Sequence, residues 1–135
     1  MAHRLYAQVA ERADYLCEYC QAPEDVFNQE FEVDHIVARA QNGCDHLHNL
    51  ALACRACNMR KSGHGAARDP QTRQLTPLFH PRQDVWDDHF VLDLETFLIA
   101  GLTPTGRATI VRLGLNRRKQ VRARAIWFTL STTTE

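Results

Sequence analysis

The chain has 135 residues, enough for one domain, and its hydrophobic fraction of 44% is ordinary for a globular protein. The formal charge is zero, so overall charge indicates no particular partner. No apolar run reaches the about 18 residues of a membrane span, and residues 1–5 do not resemble a secretory signal. We therefore expect a protein of the reducing cytoplasm without a membrane partner, where paired cysteines favour metal over disulfide.

The N-terminal half predicts four elements in the order helix, strand, strand, helix. A three- and four-residue apolar spacing from Leu5 to Leu16 indicates the first helix. Alternating polar and apolar residues indicate the first strand, and a short apolar run indicates the second. Asn42-Gly43 predicts a turn between them, and Gly63 predicts the end of the second helix. The predicted elements are residues 4–15, 30–37, 50–53 and 54–62.

The C-terminal half has weaker patterns. Residues 64–76 are polar and contain Gly65 and Pro70, which predicts a loop. One strand is predicted next, followed by two helices, and their bounds are residues 91–94, 107–115 and 117–129. In the last helix, apolar spacing predicts a buried face formed by Val121, Ala125 and Phe128.

Charge is unevenly distributed along the chain. Residues 1–70 contain 7 basic and 10 acidic side chains, whereas residues 71–135 contain 9 basic and 6 acidic ones. The segment from Arg107 to Arg124 holds seven basic residues and no acidic residue. Such a stripe indicates either a surface that binds a polyanion or an ordinary solvated helix face, and charge alone favours neither.

Four of the five cysteines form two Cys-x-x-Cys pairs, at Cys17/Cys20 and Cys54/Cys57. A two-residue gap lets both thiolates of a pair point at one ion, and four thiolates close a tetrahedral zinc site. We therefore predict a structural zinc ion. Four buried free thiols or two disulfides are the alternatives. Cys44 has no partner at ligand spacing and is expected to be a small core residue.

The polar residues between and after the cysteine pairs follow a known pattern. They are Asp34-His35-Ile36, Asn49-Leu50, Asn58 directly after Cys57, and Lys61. Together with the cysteine pairs they resemble the core of an HNH endonuclease of the four-cysteine, zinc-containing subgroup of bacterial or phage type. The resemblance covers about residues 14–63, with Asn58 in place of the third motif histidine. Residues 77–130 resemble, more loosely, the C-terminal extension of a bacterial subgroup.

This resemblance implies an α+β fold. A small ββα-metal core with a structural zinc site of four cysteines would be flanked by an N-terminal helix and a C-terminal helical extension. The whole chain, residues 1–135, would then be a single HNH nuclease domain.

The same residues suit phosphodiester hydrolysis. Imidazole exchanges protons near neutral pH, so His35 could act as the general base that takes a proton from water. Oxygen atoms of Asp34 and Asn58 could hold Mg²⁺ or Mn²⁺ as a Lewis acid, and the resemblance implies that Asn49 orients the loop and His35. Neighbouring strand residues point to opposite faces, so Asp34 and His35 share one site only if regular strand geometry ends there.

The basic residues complete the prediction. Those after the second cysteine pair and in the last helix could contact phosphate, although a solvated helix surface explains them equally well. They are Arg60, Lys61, Arg117, Arg118, Lys119, Arg122 and Arg124. The leading hypothesis is a metal-dependent DNA endonuclease or nickase, and the alternatives are a non-catalytic zinc-stabilised nucleic-acid-binding module and a zinc-stabilised protein-interaction domain. The oligomeric state is left open, since a monomer with one site would nick and a dimer could cut both strands.

Overall fold

The computed structural model describes residues 2–133, with side chains described as far as residue 130. In this part of the chain, helices and short antiparallel strands alternate, which confirms the predicted α+β class. The helices are α1 (Tyr6–Arg12), α2 (Arg55–Lys61), α3 (Trp86–His89), α4 (Pro104–Leu113) and α5 (Arg118–Thr133). The strands are β1 (Glu32–His35), β2 (Leu50–Ala53), β3 (Ala66–Arg68), β4 (Leu75–Pro77), β5 (Phe90–Leu92) and β6 (Ile99–Gly101).

The predicted strand–strand–helix unit is confirmed. β1 and β2 pair antiparallel, with Glu32 opposite Ala53 and His35 opposite Leu50. All four residues of β2 are buried, so this strand lies at the centre of the unit. The sulfur of Cys54 then accepts the Cys57 backbone N–H and caps α2, which turns the chain from strand to helix within one residue.

Residues 64–76 were predicted to be a loop, and this was wrong for residues 66–68 and 75–76, which belong to two strands. β3 and β4 form an antiparallel hairpin with Ala66 opposite Pro77. Its turn is fixed by the buried carboxylate of Asp69, which accepts hydrogen bonds from the Gln71 backbone N–H (3.0 Å) and the Arg107 guanidinium (3.0 and 2.9 Å). Because Arg107 is 38 residues away, the local sequence pattern contains no sign of this interaction.

α4 begins three residues earlier than the pattern suggested. The Thr103 hydroxyl accepts the Gly106 N–H as an N-cap, and Pro104 occupies the first turn, where a missing N–H has no consequence. A Cβ at Gly106 would lie 2.1 Å from the His89 carbonyl oxygen, so only glycine permits α4 to approach α3 this closely.

α5 forms where it was expected but buries a different face. Its most buried side chains are Gln120, Arg124 and Trp127, whereas the predicted Val121, Ala125 and Phe128 are only partly buried. The charge of Arg124 is tolerated inside because its guanidinium donates to the carbonyl oxygens of Phe97 (2.6 Å) and Leu115 (2.7 Å).

The buried apolar side chains form one cluster that runs from Val9 in α1 through Leu52 in β2 and Phe90 in β5 to Trp127 in α5. The N-terminal and C-terminal halves therefore share a core. None of the helices in the described residues combines the length and apolar character needed to cross a membrane.

Candidate metal centre and active site

The four paired cysteines meet in one cluster, as predicted. Their sulfur atoms all lie within 4.8 Å of one another, and all four residues are buried. The sulfurs of Cys20 and Cys54 are 3.7 Å apart. A zinc tetrahedron with Zn–S bonds of about 2.3 Å has S–S edges of about 3.8 Å, so the cluster has the dimensions of a zinc site.

Local backbone geometry orients the sulfur atoms of both cysteine pairs toward the cluster. In the first pair, Cys17 N–H donates to Ala22 O and Gln21 N–H donates to Cys17 O, with Gln21 in the left-handed region at φ 70°. In the second pair, Cys54 and Cys57 lie three residues apart at the start of α2. One backbone N–H in each pair points to a sulfur at 3.5 Å, an arrangement that stabilises thiolates.

The electrostatics of the cluster favour a bound cation. Hydrogen bonds with neighbouring thiols, Cys17 foremost, and burial raise the pKa of both Cys20 and Cys57, whereas hydrogen bonds within the cluster, again Cys17 foremost, lower the pKa of Cys54. Four thiolates therefore require a positive ion among them. None of the five cysteines, all within the described residues, forms a disulfide, which contradicts the alternative of two disulfides. Cys44 is outside the cluster and only partly buried, with its sulfur 3.3 Å from His48 Nε2, so the expected core position was wrong.

β1 presents different chemistry on its two sides. We call the side that carries Glu32 and Asp34 the inner face. There the Asp34 carboxylate accepts the Tyr19 hydroxyl at 2.6 Å and lies 3.2 Å from the Lys61 ammonium. Lys61 also donates to the carbonyl oxygens of His35 (3.2 Å) and Ile36 (3.0 Å). On the inner face, Asp34 and Lys61 therefore form a buried, hydrogen-bonded ion pair.

Burial dominates the electrostatics of the inner face. It raises the pKa of Asp34, and the charge of Lys61 and the Tyr19 hydrogen bond act in the opposite direction. Burial and then the Asp34 charge raise the pKa of Tyr19 well above its usual value. Lys61 is 1% exposed, so the predicted contact between Lys61 and DNA phosphate does not fit the structure.

The predicted ligands of the divalent ion, Asp34 and Asn58, already have other side chains as partners. Asp34 is 6% exposed and is already neutralised by Lys61. The Asn58 amide donates to Glu32 at 2.5 Å, and Glu32 also pairs with Arg55 at 3.0 Å. Mg²⁺ takes near-octahedral geometry and keeps several waters, so an ion could bind these two residues only if their present partners moved away.

The outer face of β1 is the side that carries His35. The His35 ring donates from Nε2 to Asp45 Oδ1 at 2.9 Å, and His3 donates from Nε2 to the same oxygen at 2.7 Å. These hydrogen bonds, with the nearby charge of Arg4, hold the pKa of Asp45 well below its usual range. The side chains of His3, His35 and Asp45 are 19%, 18% and 32% exposed, so solvent reaches this group.

Asn49 fixes the loop that carries Asp45. Its side-chain oxygen accepts the Val37 N–H at 2.9 Å, and its amide donates to the carbonyl oxygens of Val37 (3.0 Å) and Cys44 (2.8 Å). The loop folds so tightly that a Cβ at Gly43 would lie 1.7 Å from the Val37 carbonyl oxygen. The loop therefore closes next to β1 and holds Asp45 against His35.

The sequence predicted His35 and Asn49 as site residues, and the structure places Asp45 and His3, which the sequence patterns did not indicate, next to His35. The position of Asp45 in the loop closed by Asn49 was an available signal, because that loop returns to the end of β1. His3 lies 32 positions before His35 in a segment without a motif, so no spacing rule could have indicated it.

The basic residues that the sequence predicts to contact DNA differ in how exposed their side chains are. Arg124 is 1% exposed and bonded to two carbonyl oxygens, so its predicted contact with phosphate is corrected to a role in the core. Arg117 is partly buried. The exposed members are Arg60, Arg118, Lys119 and Arg122.

Comparison with known proteins identifies one segment. Residues 17–63, about a third of the chain, match the family model described as HNH endonuclease. The match begins at the first cysteine and ends just after α2, so it includes both cysteine pairs and both faces of β1. No curated protein and no solved structure matches the chain.

Proposed function

We propose that residues 17–63 form an HNH endonuclease domain, and that this protein hydrolyses DNA phosphodiester bonds as an endonuclease or nickase with His35 as the general base. We further propose that residues 1–135 act as one functional unit, since residues from α1 to α5 contribute to a single core.

The observation that carries this proposal is the pairing of His35 with Asp45. Donation from Nε2 to the carboxylate at 2.9 Å fixes the tautomer and leaves the lone pair of the neutral ring on Nδ1. Within the described residues, Nδ1 of His35 has no hydrogen-bond partner. A partly exposed ring with an oriented, free lone pair is suited to take a proton from an attacking water.

Asn49 acts as a positioning residue in this proposal. Its three hydrogen bonds hold the loop on which Asp45 is placed, and Asp45 orients His35. Asn49 is 5% exposed, so it is placed to support the site and does not meet the substrate.

Zinc at the four-cysteine cluster is proposed as structural. Four protein ligands leave no open coordination position, so the ion would stabilise the fold and take no part in hydrolysis. It would join the turn before β1 to the start of α2 and so fix the position of β1 between them.

The family resemblance also implies a catalytic Mg²⁺ or Mn²⁺ ion, and we propose that cleavage requires one. When bound, such an ion would stabilise negative charge on the phosphate. Asp34 is paired with Lys61, and Asn58 is hydrogen-bonded to Glu32. An ion bound by Asp34 and Asn58 would therefore first have to displace the Lys61 ammonium.

DNA contact is proposed for the exposed basic residues. Arg118, Lys119 and Arg122 are exposed neighbours on α5, since helix positions three and four apart share one side. Arg60 at the end of α2 is the remaining exposed candidate.

The test is a plasmid-nicking assay on zinc-loaded protein. We expect nicking with added Mg²⁺ or Mn²⁺ and none without either ion, with the zinc content measured before and after chelation. His35→Ala should lower the rate by about 10²- to 10⁴-fold while DNA binding and thermal stability persist. His64→Ala, a change at another exposed histidine, is the matched control and should cut normally.

Two results would oppose the proposal. Cleavage by pure His35→Ala at the wild-type rate would remove His35 from the mechanism. DNA binding by the wild type without cleavage, with either ion, would instead support the alternative of a zinc-stabilised nucleic-acid-binding module.

A further inference from the structure

The outer face of β1 gathers three metal-ligating side chains that the proposed hydrolysis does not use as ligands. The ligand atoms of His3, His35 and Asp45 all lie within 4.8 Å of one another. We propose that these residues form a binding site for a divalent transition-metal ion, and that an ion there removes His35 from catalysis. The inhibitory role rests on the proposed function, whereas the metal site stands on geometry alone.

The donor set determines which ions the site takes. Two imidazoles and one carboxylate suit Zn²⁺, Ni²⁺ and Co²⁺, whereas Mg²⁺ prefers oxygen ligands. Asp45 is held as a carboxylate by its histidine partners, so it can ligate at neutral pH without first losing a proton. Three protein ligands leave coordination positions for water, as in open zinc sites.

The approach of the side chains supports a shared ion. Both imidazoles reach one oxygen, Asp45 Oδ1, at 2.7 and 2.9 Å, so their Nε2 atoms already converge on one point. The rings of His3 and His35 meet edge to face, with centroids 5.8 Å apart. His3 precedes α1 and is not part of a helix or strand, so a small adjustment of this segment can open space for an ion.

Binding requires one local change. The Leu5 backbone N–H donates to His3 Nδ1 at 2.9 Å, which places the proton of the neutral ring on Nε2. An ion on Nε2 moves that proton to Nδ1, and the hydrogen bond from Leu5 is lost. We therefore expect the site to bind more weakly than the four-thiolate cluster, which would already hold its own ion.

The same tautomer change explains the effect on His35. A neutral imidazole with a metal ion on Nε2 carries its proton on Nδ1, so Nδ1 no longer has a lone pair. The atom proposed to take a proton from water is then blocked. Transition-metal binding and general-base activity are therefore mutually exclusive states of the same ring.

Metal titration of zinc-loaded protein without a histidine tag tests the site directly. Calorimetry with Ni²⁺ or Co²⁺ should show one additional ion per chain. His3→Gln and Asp45→Asn should each lower the affinity for this additional ion by about 10-fold or more, because each removes one of three ligands. His48→Gln, a change at an exposed histidine outside the group, should bind as the wild type does. The absence of an additional ion, or equal affinity in His3→Gln, would overturn the site.

The inhibitory role is tested in the Mg²⁺-supported nicking assay. Added Ni²⁺ should stop the wild type but leave His3→Gln active, since His3 has no part in the proposed chemistry. Equal inhibition of both proteins would overturn the inhibitory role while leaving the endonuclease proposal intact. A wild type that never cleaves would overturn the proposed function and the inhibitory role together, and the titration would still decide the metal site.

Discussion

The two faces of β1 contain similar residue types in opposite environments. On the inner face, Asp34 and Lys61 are almost fully buried and satisfied by each other, by Tyr19 and by backbone carbonyls. On the outer face, His35 and Asp45 are paired but partly exposed. Burial therefore distinguishes polar groups that hold the fold from those available for chemistry. Mutations should show the same separation, in stability for the inner face and in cleavage for the outer face.

The largest expected effect comes from disrupting the four-cysteine cluster, on which both faces of β1 depend. Cys54→Ser breaks the four-thiol cluster at the junction of β2 and α2, so zinc binding and the fold should fail together. Structural zinc sites contribute about 10–16 kcal/mol of binding free energy that is also folding free energy. Circular dichroism and zinc analysis should show an unfolded, zinc-free chain. Cys44→Ser is the control and should retain both, and a Cys54→Ser protein with full zinc and unchanged stability would contradict this role.

The next effect concerns the inner face alone. Lys61→Ala leaves the Asp34 carboxylate buried without its partner, and loss of one member of a buried pair costs about 3–5 kcal/mol. Urea denaturation should show this loss, while Arg60→Ala, its exposed neighbour, should change stability by about 0.5 kcal/mol or less.

The double variant Asp34→Asn/Lys61→Met sharpens the inner-face test. It removes both charges, so it should recover much of the stability lost in Lys61→Ala. In folded Asp34→Asn protein, added Mn²⁺ should also not increase the rate of DNA cleavage. Rescue by Mn²⁺ would instead assign Asp34 to the catalytic ion and contradict the purely structural role.

The smallest expected effect is on DNA affinity and concerns the exposed basic residues of α5. Replacing Arg118 and Arg122 by alanine removes two exposed charges, so the slope of log affinity for DNA against log salt should fall by about two. The paired control, Arg68→Ala with Arg73→Ala, removes equal charge from the β3–β4 hairpin and should leave the slope unchanged. Equal slopes for the α5 double variant and the wild type would identify its basic side as an ordinary solvated surface.

Local patterns predicted the parts of the fold that local residues specify. The spacing of Cys17/Cys20 and Cys54/Cys57 predicted the thiol cluster, because a two-residue gap in a tight turn or first helical turn fixes where sulfurs point. Apolar patterning predicted β1 and β2 in the same way, and α2 was predicted from its helical composition and from Gly63. The β3–β4 hairpin was missed because three-residue strands carry little pattern, and its turn depends on the distant Arg107.

The site was predictable only in part for the same reason. Strand alternation already indicated that Asp34 and His35 point apart, but not which partner each would meet. The sequence alone predicted Lys61 and Arg124 as phosphate contacts, because a cationic side chain that donates to buried carbonyl oxygens has the same local sequence pattern as a solvated one. Asp45 and His3 reach His35 only through tertiary structure.

Trp86 gives the cysteine cluster an optical reporter. Its indole N–H donates to the carbonyl oxygen of Tyr19, which lies within the turn between Cys17 and Cys20, and its ring lies against Phe90 in β5. The fluorophore therefore joins the metal-binding turn to the C-terminal half of the chain. Its emission, measured in a chain with Trp127, the other tryptophan, replaced by Phe, should report loosening of that turn, so metal release could be followed in real time without an added label.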